Sequence, residues 1–445
     1  MSNKHSVLLK EDKCEGCTNC VKNCPTKAIR VHQGKAKIKE DLCIDCAECI
    51  RTCEYHAKYA ETNRLEDLDK NDYNVALLAP SFYGQFDSTF DPESIKKAVY
   101  KLGFDEVWDV AQAAEAISQK TVQFLKNNQG TYISSSCPVI VRLISLLYPE
   151  LLDNIISFNS PVDLMADYVK KELYDSSIEE FGIYFITPCP AKVTAIKNPL
   201  GREKSSLTGA ISVDKVYPML LDLIKNDEKL ENVELKQNYQ PYLGIFWGQS
   251  GGENDILNYE GIIETLSVSG IHNIKGVLEE TTRGNIEGIR YLELVACPTG
   301  CVGGIFNVKN PFQAKYNIKT NVREYSDFID QDIEEFNFEL SKRIKEIGAE
   351  KLDEDFAKAM DKLEQLEKEI EILPGFDCAA CGAPDCETFA EDIVNGLAKR
   401  SDCIFVLRKE IGDLADQLSL LTHELPPVMR SEEKQKKTKK NNGVE

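Results

Sequence analysis

The run CEGCTNCVKNCP at residues 14–25 and the run CIDCAECIRTC at residues 43–53 share the spacing C-x2-C-x2-C-x3-C. This spacing is typical of a small α+β domain with two 4Fe-4S clusters, here residues 1–65. Three cysteines of each loop bind three irons of one cluster, and the fourth cysteine binds the other cluster. Paired C-x2-C units also bind zinc or form disulfides, but the double run followed by Pro25 favours iron-sulfur clusters. The two ligand sets are Cys14, Cys17, Cys20 and Cys53 for one cluster, and Cys43, Cys46, Cys49 and Cys24 for the other.

The composition is that of an ordinary soluble protein, with 445 residues of which 42% are hydrophobic and 28% charged. No apolar stretch approaches the roughly 20 residues that span a membrane, and the start MSNKHSVLLKEDK lacks the apolar run of a signal peptide. We therefore expect a cytoplasmic location, where thiols stay reduced, and no membrane partner. The net charge of −20 argues against nucleic acid and favours basic or weakly charged protein partners.

Short, nearly continuous apolar runs follow the cysteine-rich start, and such runs are typical of strands covered on both faces. They lie at residues 75–79, 130–134, 182–187, 242–247 and 291–296. Segments with helical spacing lie between them, for example at 138–152 and 213–230. The alternation predicts an α/β domain with a mostly parallel sheet over residues 70–340.

Cysteines stand just after three of these runs, at the edge of a parallel sheet where ligands bind. With one more a short loop later, they form a third set of four: Cys137, Cys189, Cys297 and Cys301. A buried structural cysteine is the alternative for each taken alone. Four together, three of them followed by proline, indicate a shared 4Fe-4S site, and Gly303 and Gly304 would let the backbone approach a bulky inorganic group.

Three segments resemble the iron-only (FeFe) hydrogenases: SSSCP at 134–138, TPCPAK at 187–192 and ELVACPTGCVGG at 293–304. The resemblance covers about residues 1–340, with residues 1–65 similar to a bacterial ferredoxin. In that family the matching loops carry a 4Fe-4S cluster joined to a diiron unit with carbonyl, cyanide and a bridging dithiolate. The resemblance implies that the third set of cysteines binds this 4Fe-4S cluster and that Cys301 also bridges to the diiron unit.

The same resemblance implies roles for three further residues. Lys192 matches the lysine that donates to one cyanide, and the turn of Pro80 and Ser81 matches the segment that contacts the other. Anionic cyanides in a dry pocket need a cation and hydrogen-bond donors. A surface lysine is the alternative for Lys192. The implied activity is the interconversion of H2 with protons and electrons, with the bridging amine of the dithiolate as base.

The resemblance also implies partners. Besides H2 and protons, these are a redox protein such as ferredoxin or a signalling partner, and the enzymes that mature the diiron unit.

The chain departs from the family where catalytic members move protons. Those members carry a second cysteine before the one that matches Cys137, and this chain has Ser136 there, a much weaker acid. The helix that supplies two relay glutamates matches residues 115–124, which hold no carboxylate at Lys120, Thr121 or Phe124. We therefore expect a slow, sensory-type member. The alternative is a non-enzymatic iron-sulfur protein that lacks the diiron unit.

A fourth set of cysteines lies near the C-terminus, at Cys378, Cys381, Cys386 and Cys403. It resembles the small helical 4Fe-4S domain of electron-transfer and corrinoid proteins, here at residues 374–405. Phe389, Ile393 and Leu397 are expected on one face of its helix. Zinc is the alternative metal.

Helical segments surround this last set. Residues 341–373 are expected to be a helical linker with an apolar seam of Phe356, Met360, Leu363 and Ile370. Residues 406–425 are expected to be an amphipathic helix with a seam of Leu407, Ile411, Leu414, Leu418, Leu421 and Leu425. That helix either packs on its own domain or forms a homodimer. The tail at 426–445 is expected to be disordered, with Lys434, Lys436, Lys437, Lys439 and Lys440 solvated or in a docking site.

Iron content tests these assignments together. Sixteen cysteines at four per cubane, plus one diiron unit, predict about 18 irons per chain. Iron analysis and Mössbauer spectroscopy of anaerobically matured protein measure this directly. About one zinc per chain would contradict the assignment of the C-terminal set.

Overall fold

The computed structural model describes residues 5–87, 89–225, 230, 232–236, 243–262, 264–322, 336–348, 352–353 and 355–423. The chain divides into two compact units, residues 1–350 and 351–445. The lysines of the basic tail and Leu425 lie outside the described residues.

The first unit begins with a small α+β module built from two similar halves. Its elements are β1 (Val7–Leu9), α1 (Asn19–Lys22), β2 (Ile29–His32), β3 (Lys35–Ile38), α2 (Glu48–Arg51) and β4 (Lys58–Ala60). β1 pairs with β4 and β2 with β3, both antiparallel. Each cysteine-rich loop leads into a short helix, α1 in the first half and α2 in the second.

The rest of the first unit is an α/β domain. Its strands are β5 (Asn74–Leu78), β6 (Glu106–Asp109), β7 (Tyr132–Ile133), β8 (Gly182–Thr187), β9 (Gly209–Ser212), β10 (Thr265–Ser269) and β11 (Tyr291–Val295). Its helices are α3 (Pro92–Tyr100), α4 (Val110–Asn127), α5 (Pro138–Leu147), α6 (Pro161–Asp175), α7 (Pro190–Lys197), α8 (Val213–Lys225), α9 (Gly252–Tyr259), α10 (Ile271–Thr282) and α11 (Pro311–Val322).

These strands form two parallel sheets among the described residues. One has the order β6–β5–β8–β9 and the other β10–β11–β7. Every residue of β5 and β8 is buried, which is why these segments are continuous apolar runs rather than alternating ones. The predicted mostly parallel α/β architecture is confirmed.

Sequence patterns found some strands and missed others. The runs at 75–79, 130–134, 182–187 and 291–296 contain β5, β7, β8 and β11. The strand expected at 242–247 is wrong: Gly244–Gly248 is a 3-10 helix, and Tyr242 lies outside the described residues. Gly244 donates its N–H to a buried carboxylate of Glu115, and a Cβ there would lie 1.9 Å from a backbone oxygen of α4. The segment Gly244–Gly248 therefore packs closely against α4 instead of pairing with a strand.

Three strands were not predicted because their sequences do not form apolar runs. β6 begins and ends with acidic residues, β9 is the short GAIS, and β10 is the half-buried TLSVS. Tertiary pairing decides such segments, since intrinsic strand preference is weak.

The second unit is helical, as predicted. It contains α12 (Phe356–Ile372), α13 (Cys386–Val394) and α14 (Ile404–His423). The helix expected to carry Leu397 ends earlier, because Gly396 has a φ of +71° and turns the chain, so that Leu397 is exposed. No helix in the described parts of either unit is both long and apolar enough to cross a bilayer.

A buried ion pair anchors α3 to β6, and its removal tests the core of the first unit. Lys96 Nζ lies 3.0 Å from Asp109 Oδ2, and both side chains are almost wholly buried. Lys96→Met would leave the Asp109 carboxylate without its cation, so we expect a loss of about 3–5 kcal/mol in the free energy of unfolding. The matched control is Lys97→Met, whose pair with Glu93 is partly exposed and should change stability by less than about 1 kcal/mol. Equal shifts of the urea midpoint in both variants would contradict this.

Candidate functional site

The carboxyl ends of β5, β7, β8 and β11 surround one cavity of about 100 Å³. β5 and β8 belong to one sheet and β7 and β11 to the other, so the cavity lies where the two sheets end together. It is lined by all eight residues predicted for the active site: Pro80, Ser81, Ser136, Cys137, Cys189, Lys192, Cys297 and Cys301. Residues far apart in the sequence meet there because parallel strands bring their carboxyl ends to one edge.

Two of the thiols stand at helix N-termini. Cys137 precedes α5 and Cys189 precedes α7, and proline is the first helical residue in both cases. Proline suits this position because its fixed φ matches the helix and no N–H is lost. The partial positive charge of a helix N-terminus stabilises a thiolate. The Cys-Pro pairs therefore place thiols that are ready to bind a metal.

Desolvation makes Cys189, Cys297 and Cys301 poor anions on their own. Desolvation, together with the charge of neighbouring thiols, raises the pKa of Cys189 to about 11 and that of Cys301 to about 12. The pKa of Cys297 is also well above its usual value, mainly through desolvation. A soft metal centre compensates for this cost, since it binds thiolates and displaces their protons. Together with Cys137 these thiols make a set of four, which is the number that a 4Fe-4S cluster needs.

Donors also face the cavity. Lys192 Nζ donates to Ser160 Oγ at 2.9 Å, and the Lys192 backbone N–H donates to the Cys189 sulfur. Ser81 is fully buried, and its hydroxyl has no hydrogen-bond partner among the described residues. A buried hydroxyl without a partner is costly, and an anionic ligand in the cavity would accept its hydrogen bond. This part of the site therefore fits a group with small anionic ligands.

Ser136 begins a chain of hydrogen bonds that ends on a buried carboxylate. Its Oγ lies 2.8 Å from Ser134 Oγ, which donates to Glu253 Oε2 at 3.0 Å. The Tyr291 hydroxyl donates to the other oxygen of Glu253. Glu253 itself lines the cavity, together with a second buried carboxylate, that of Glu293.

The two carboxyl groups favour their protonated forms. Burial raises the pKa of Glu253, and the nearby charge of Glu293 raises it further. Burial also raises the pKa of Glu293, although the backbone N–H groups of Asn254 and Gly251 donate to it at 3.0 and 2.8 Å. Two such groups that face one another cannot both ionise easily, so the pair holds a proton near neutral pH.

Sequence reasoning missed Glu253 and Glu293. A signal was present for Glu293, because it interrupts the apolar run YLELVA, and a carboxylate inside a buried strand needs partners or a function. Glu253 gives no such signal. It lies in the polar stretch GGENDIL, which reads as a solvent-exposed segment although it forms the first turns of α9.

The first eight cysteines surround two smaller cavities. One is lined by Cys14, Cys17, Cys20 and Cys53, and the other by Cys24, Cys43, Cys46 and Cys49. These groups are the sets named from the spacing, with the fourth cysteine of each run crossing to the other loop. Burial raises the pKa of Cys20 to about 11 and that of Cys49 to about 12.

Several hydrogen bonds join this module to the α/β domain, and three of them involve residues next to cysteines or to their loops. Ser6 Oγ donates to the Pro190 carbonyl oxygen at 2.9 Å, and Pro190 directly follows Cys189. Arg51 Nη2 donates to the Gly303 carbonyl oxygen at 3.1 Å, and Gly303 lies two residues after Cys301. Lys275 Nζ donates to the Pro25 carbonyl oxygen at 3.1 Å. The contact of Arg51 therefore holds α2 of the module against the loop that carries Cys301, and the contact of Pro25 holds the first cysteine-rich loop against α10.

The C-terminal cysteines form a compact group within the second unit. Cys403 packs with Ala383 and Phe389 in a small core, and Cys381 and Cys386 pack against it. Burial raises the pKa of Cys381, with contributions from the charges of Cys403 and Cys378. Cys378 and Cys381 lie on the loop before α13, Cys386 is the first residue of α13, and Cys403 lies directly before α14.

Models of known protein families match the regions that hold these cysteine groups. The model of the "Iron only hydrogenase large subunit, C-terminal domain" matches residues 72–252 and 226–305, which together span more than half of the chain. The chain belongs to the iron-only hydrogenase family. A "4Fe-4S dicluster domain" matches residues 6–54 and a "Putative Fe-S cluster" domain matches residues 373–405. The resemblance inferred from the sequence is confirmed, and iron-sulfur cofactors are supported in all three regions.

Individual relatives of this hydrogenase-family chain are distant. Iron hydrogenase 1 of Clostridium pasteurianum is 26% identical over 287 residues, which are 52% of this chain and 49% of that protein. An uncharacterised protein of Methanocaldococcus jannaschii is 37% identical over 57 residues, 13% of this chain and 25% of that protein. The chain thus spans about half the length, or less, of these curated relatives.

Solved structures of hydrogenases are similar at low identity. The FeFe hydrogenase of Chlamydomonas reinhardtii, in a variant form, is 14% identical, with a TM-score of 0.46 and coverage of 64% of this chain and 98% of that one. A structure on stepwise assembly of the hydrogenase H-cluster is also 14% identical, with a TM-score of 0.43 and coverage of 57% and 87%.

The protonated carboxyl pair of this hydrogenase-family chain can be observed directly. At neutral pH we expect the infrared C=O stretch of a protonated carboxyl group, because the pKa of Glu253 and that of Glu293 are both raised by burial. Glu253→Gln should remove or shift that band, since Glu293 then loses the charge that faces it.

The pair also sets the sign of a stability effect. Raised carboxyl pKa values mean that the native state holds more protons, so the free energy of unfolding should fall as pH rises from about 5 to about 8. Glu253→Gln should flatten this fall. A wild-type protein without the protonated carboxyl band at pH 7 would contradict the assignment.

Proposed function

We propose that this chain is an FeFe hydrogenase of low turnover that interconverts H2 with protons and electrons in the cytoplasm, used for sensing hydrogen or redox state. The observation that carries the proposal is the convergence of four thiols, the Lys192 ammonium and the unpartnered Ser81 hydroxyl on one cavity. A purely structural site has no need of a free hydroxyl and a lysine beside four thiols.

Each group of cysteines is proposed to bind one 4Fe-4S cluster. The two small cavities of the N-terminal module hold one cluster each, the active-site cavity holds the third, and the C-terminal group holds the fourth. In support, the thiols of each group are gathered, and desolvation raises the pKa of at least one thiol in each group, so that thiolates there depend on a metal for compensation.

The diiron unit is proposed to lie in the same cavity, joined to the third cluster through Cys301. When bound, it would supply the centre at which H2 is split or formed. Lys192 and the turn of Pro80 and Ser81 would hold its cyanide ligands, because an ammonium and a hydroxyl donate to anionic acceptors and Ser81 is otherwise without one. Apolar residues such as Val110, Val162 and Phe185 exclude water from the cavity.

Proton movement is proposed to use the buried carboxyl pair instead of the usual thiol relay. A proton that leaves the cavity passes from Ser136 Oγ to Ser134 Oγ and on to Glu253 Oε2, over steps of 2.8 and 3.0 Å. Glu293 lies beside Glu253 and accepts a hydrogen bond from Ser267, which is partly exposed on β10. Raised carboxyl pKa values suit groups that exchange protons near neutral pH. Serine as the first link explains why turnover would be slow.

Electrons are proposed to reach the cavity through the N-terminal module. The contact of Arg51 with the Gly303 carbonyl holds the module against the loop of Cys301. The external partner would be a redox protein such as ferredoxin, or a signalling protein that responds to the state of the clusters. Assembly of the diiron unit would require maturation enzymes.

A second candidate function is a non-enzymatic iron-sulfur protein without the diiron unit. The absence of the usual cysteine before Cys137 favours it, because that change removes the relay thiol. The cavity beyond the four thiols, with Lys192 and Ser81 facing it, favours the enzyme.

Infrared spectroscopy of the matured protein separates the two candidates, and Cys301→Ser locates the site. We expect bands of metal-bound CO and CN in the wild type. They should disappear in Cys301→Ser, because Cys301 is the proposed link between the protein and the diiron unit. Cys378→Ser should retain them at full strength, since it alters only the C-terminal group. A wild type without these bands supports the non-enzymatic protein, and bands that persist in Cys301→Ser refute the link.

Variants of Ser136 and Glu253 test the proton route. Ser136→Cys should raise H2 evolution modestly, because a thiol is a better-matched acid. Ser136→Ala and Glu253→Gln should each lower it by about 10-fold or more, since both interrupt the hydrogen-bond chain. The matched control is Ser135→Ala, because the Ser135 hydroxyl donates to the Phe158 carbonyl and takes no part in the chain. Equal rates in all of these variants, with a chemically reduced dye as donor, would show that proton delivery does not limit turnover.

A further inference from the structure

The long C-terminal helix α14 presents an apolar seam to solvent. Along the helix the seam residues are spaced alternately by three and four positions: Ile404, Leu407, Ile411, Leu414, Leu418 and Leu421. Each has between 39% and 60% of its surface exposed. The seam therefore does not pack on the described part of its own unit, which was one of the two alternatives for this helix. Most of the stability of a helix in a protein comes from packing of its apolar face, and α14 lacks that packing among the described residues.

The identity of the seam residues selects a kind of partner. Spacing assigns Ile404, Ile411 and Leu418 to heptad position a, and Leu407, Leu414 and Leu421 to position d. A β-branched residue at a with leucine at d favours two parallel strands. Two of the three a positions are isoleucine and every d position is leucine, so the pattern fits a parallel dimer better than a trimer or tetramer.

The residues that flank the seam are compatible with two copies side by side. In a parallel pair, position g of one helix faces position e of the next heptad on the other. Glu410 then faces Ala415, so like charges do not oppose one another at this pair. Six seam side chains from each copy, each about half exposed, supply on the order of 1,000 Å², which is the area a specific interface needs.

We propose that α14 pairs in parallel with α14 of a second copy of this chain, and that the pairing brings the two C-terminal cysteine groups together. α14 begins one residue after Cys403, so both copies of Cys403 lie at the same end of the coil. An antiparallel pair would instead separate them by up to the helix length, about 30 Å. Taken with the proposed C-terminal cluster, this places two such clusters beside one dimer axis.

The oligomeric state of the full chain tests the pairing. Sedimentation of the wild type should show a dimer, and Leu421→Lys should raise its dissociation constant by about 100-fold or more, because it buries a charge in the seam. The matched control is Leu420→Lys: Leu420 is as exposed as Leu421 but lies off the seam, so the dimer should remain. A monomeric wild type, or equal effects of the two variants, would overturn the proposal.

The parallel orientation of the two α14 helices can be tested by disulfide cross-linking, which does not depend on any iron-sulfur cluster. In Leu421→Cys, anaerobic treatment with diamide should oxidise the two position-421 thiols of a parallel dimer to one disulfide, with diamide reduced to its hydrazine. Mass spectrometry should find the peptide around position 421 linked to its own copy, and Leu420→Cys should not form that link. A dimer without the link would be antiparallel and would overturn the parallel arrangement.

Magnetic coupling then tests the meeting of the clusters. The signal of the reduced C-terminal cluster should be broadened by its partner in the wild type and sharpen in Leu421→Lys. An unbroadened signal in a linked parallel dimer would overturn the placement of clusters at the axis. Absence of any such signal would refute the C-terminal cluster itself and leave the dimer standing.

Discussion

The structure depends on one constraint, which is that four thiols must share a cavity where two parallel sheets end. Bare thiolates there would repel one another in a medium that solvates them poorly, and burial already raises the pKa of Cys189, Cys297 and Cys301. A metal cluster resolves this conflict because it binds the thiolates and takes the place of their protons. The Cys-Pro helix starts, the strand ends and the glycine-rich loop of Cys301 all serve to place these sulfur atoms.

A second feature of the cavity is the buried carboxyl pair of Glu253 and Glu293. The relay thiol and the carboxylates of the usual proton path are replaced by Ser136, Lys120, Thr121 and Phe124. A different pair of carboxyl groups reaches the same cavity from α9 and β11, through Ser134 and Ser136. In the proposed function these groups are a proton path whose first link is a serine hydroxyl, which is a weaker acid than a thiol.

Sequence reasoning succeeded where chemistry fixes spacing and failed where tertiary contacts decide. Cysteine spacing and strand-end position anticipated which thiols meet, because cluster geometry and parallel pairing leave few alternatives. The 3-10 helix at Gly244–Gly248 was not predictable from an apolar run, since its cause is the contact of Gly244 with Glu115 and α4. Glu253 was not predictable either, because only the fold brings GGENDIL beside SSSCP. Sequence patterns identify candidate metal-binding cysteines more readily than they identify the residues that surround the metal site.

The most direct test of the account is an iron-edge anomalous difference map from crystals of the anaerobically matured protein. The account predicts a four-iron cluster within bonding distance of Cys137, Cys189, Cys297 and Cys301, and two further irons beside Cys301 that face Lys192 and Ser81. A map with four irons at the cysteines and none beyond Cys301 would contradict the central claim that this cavity is built for a diiron centre.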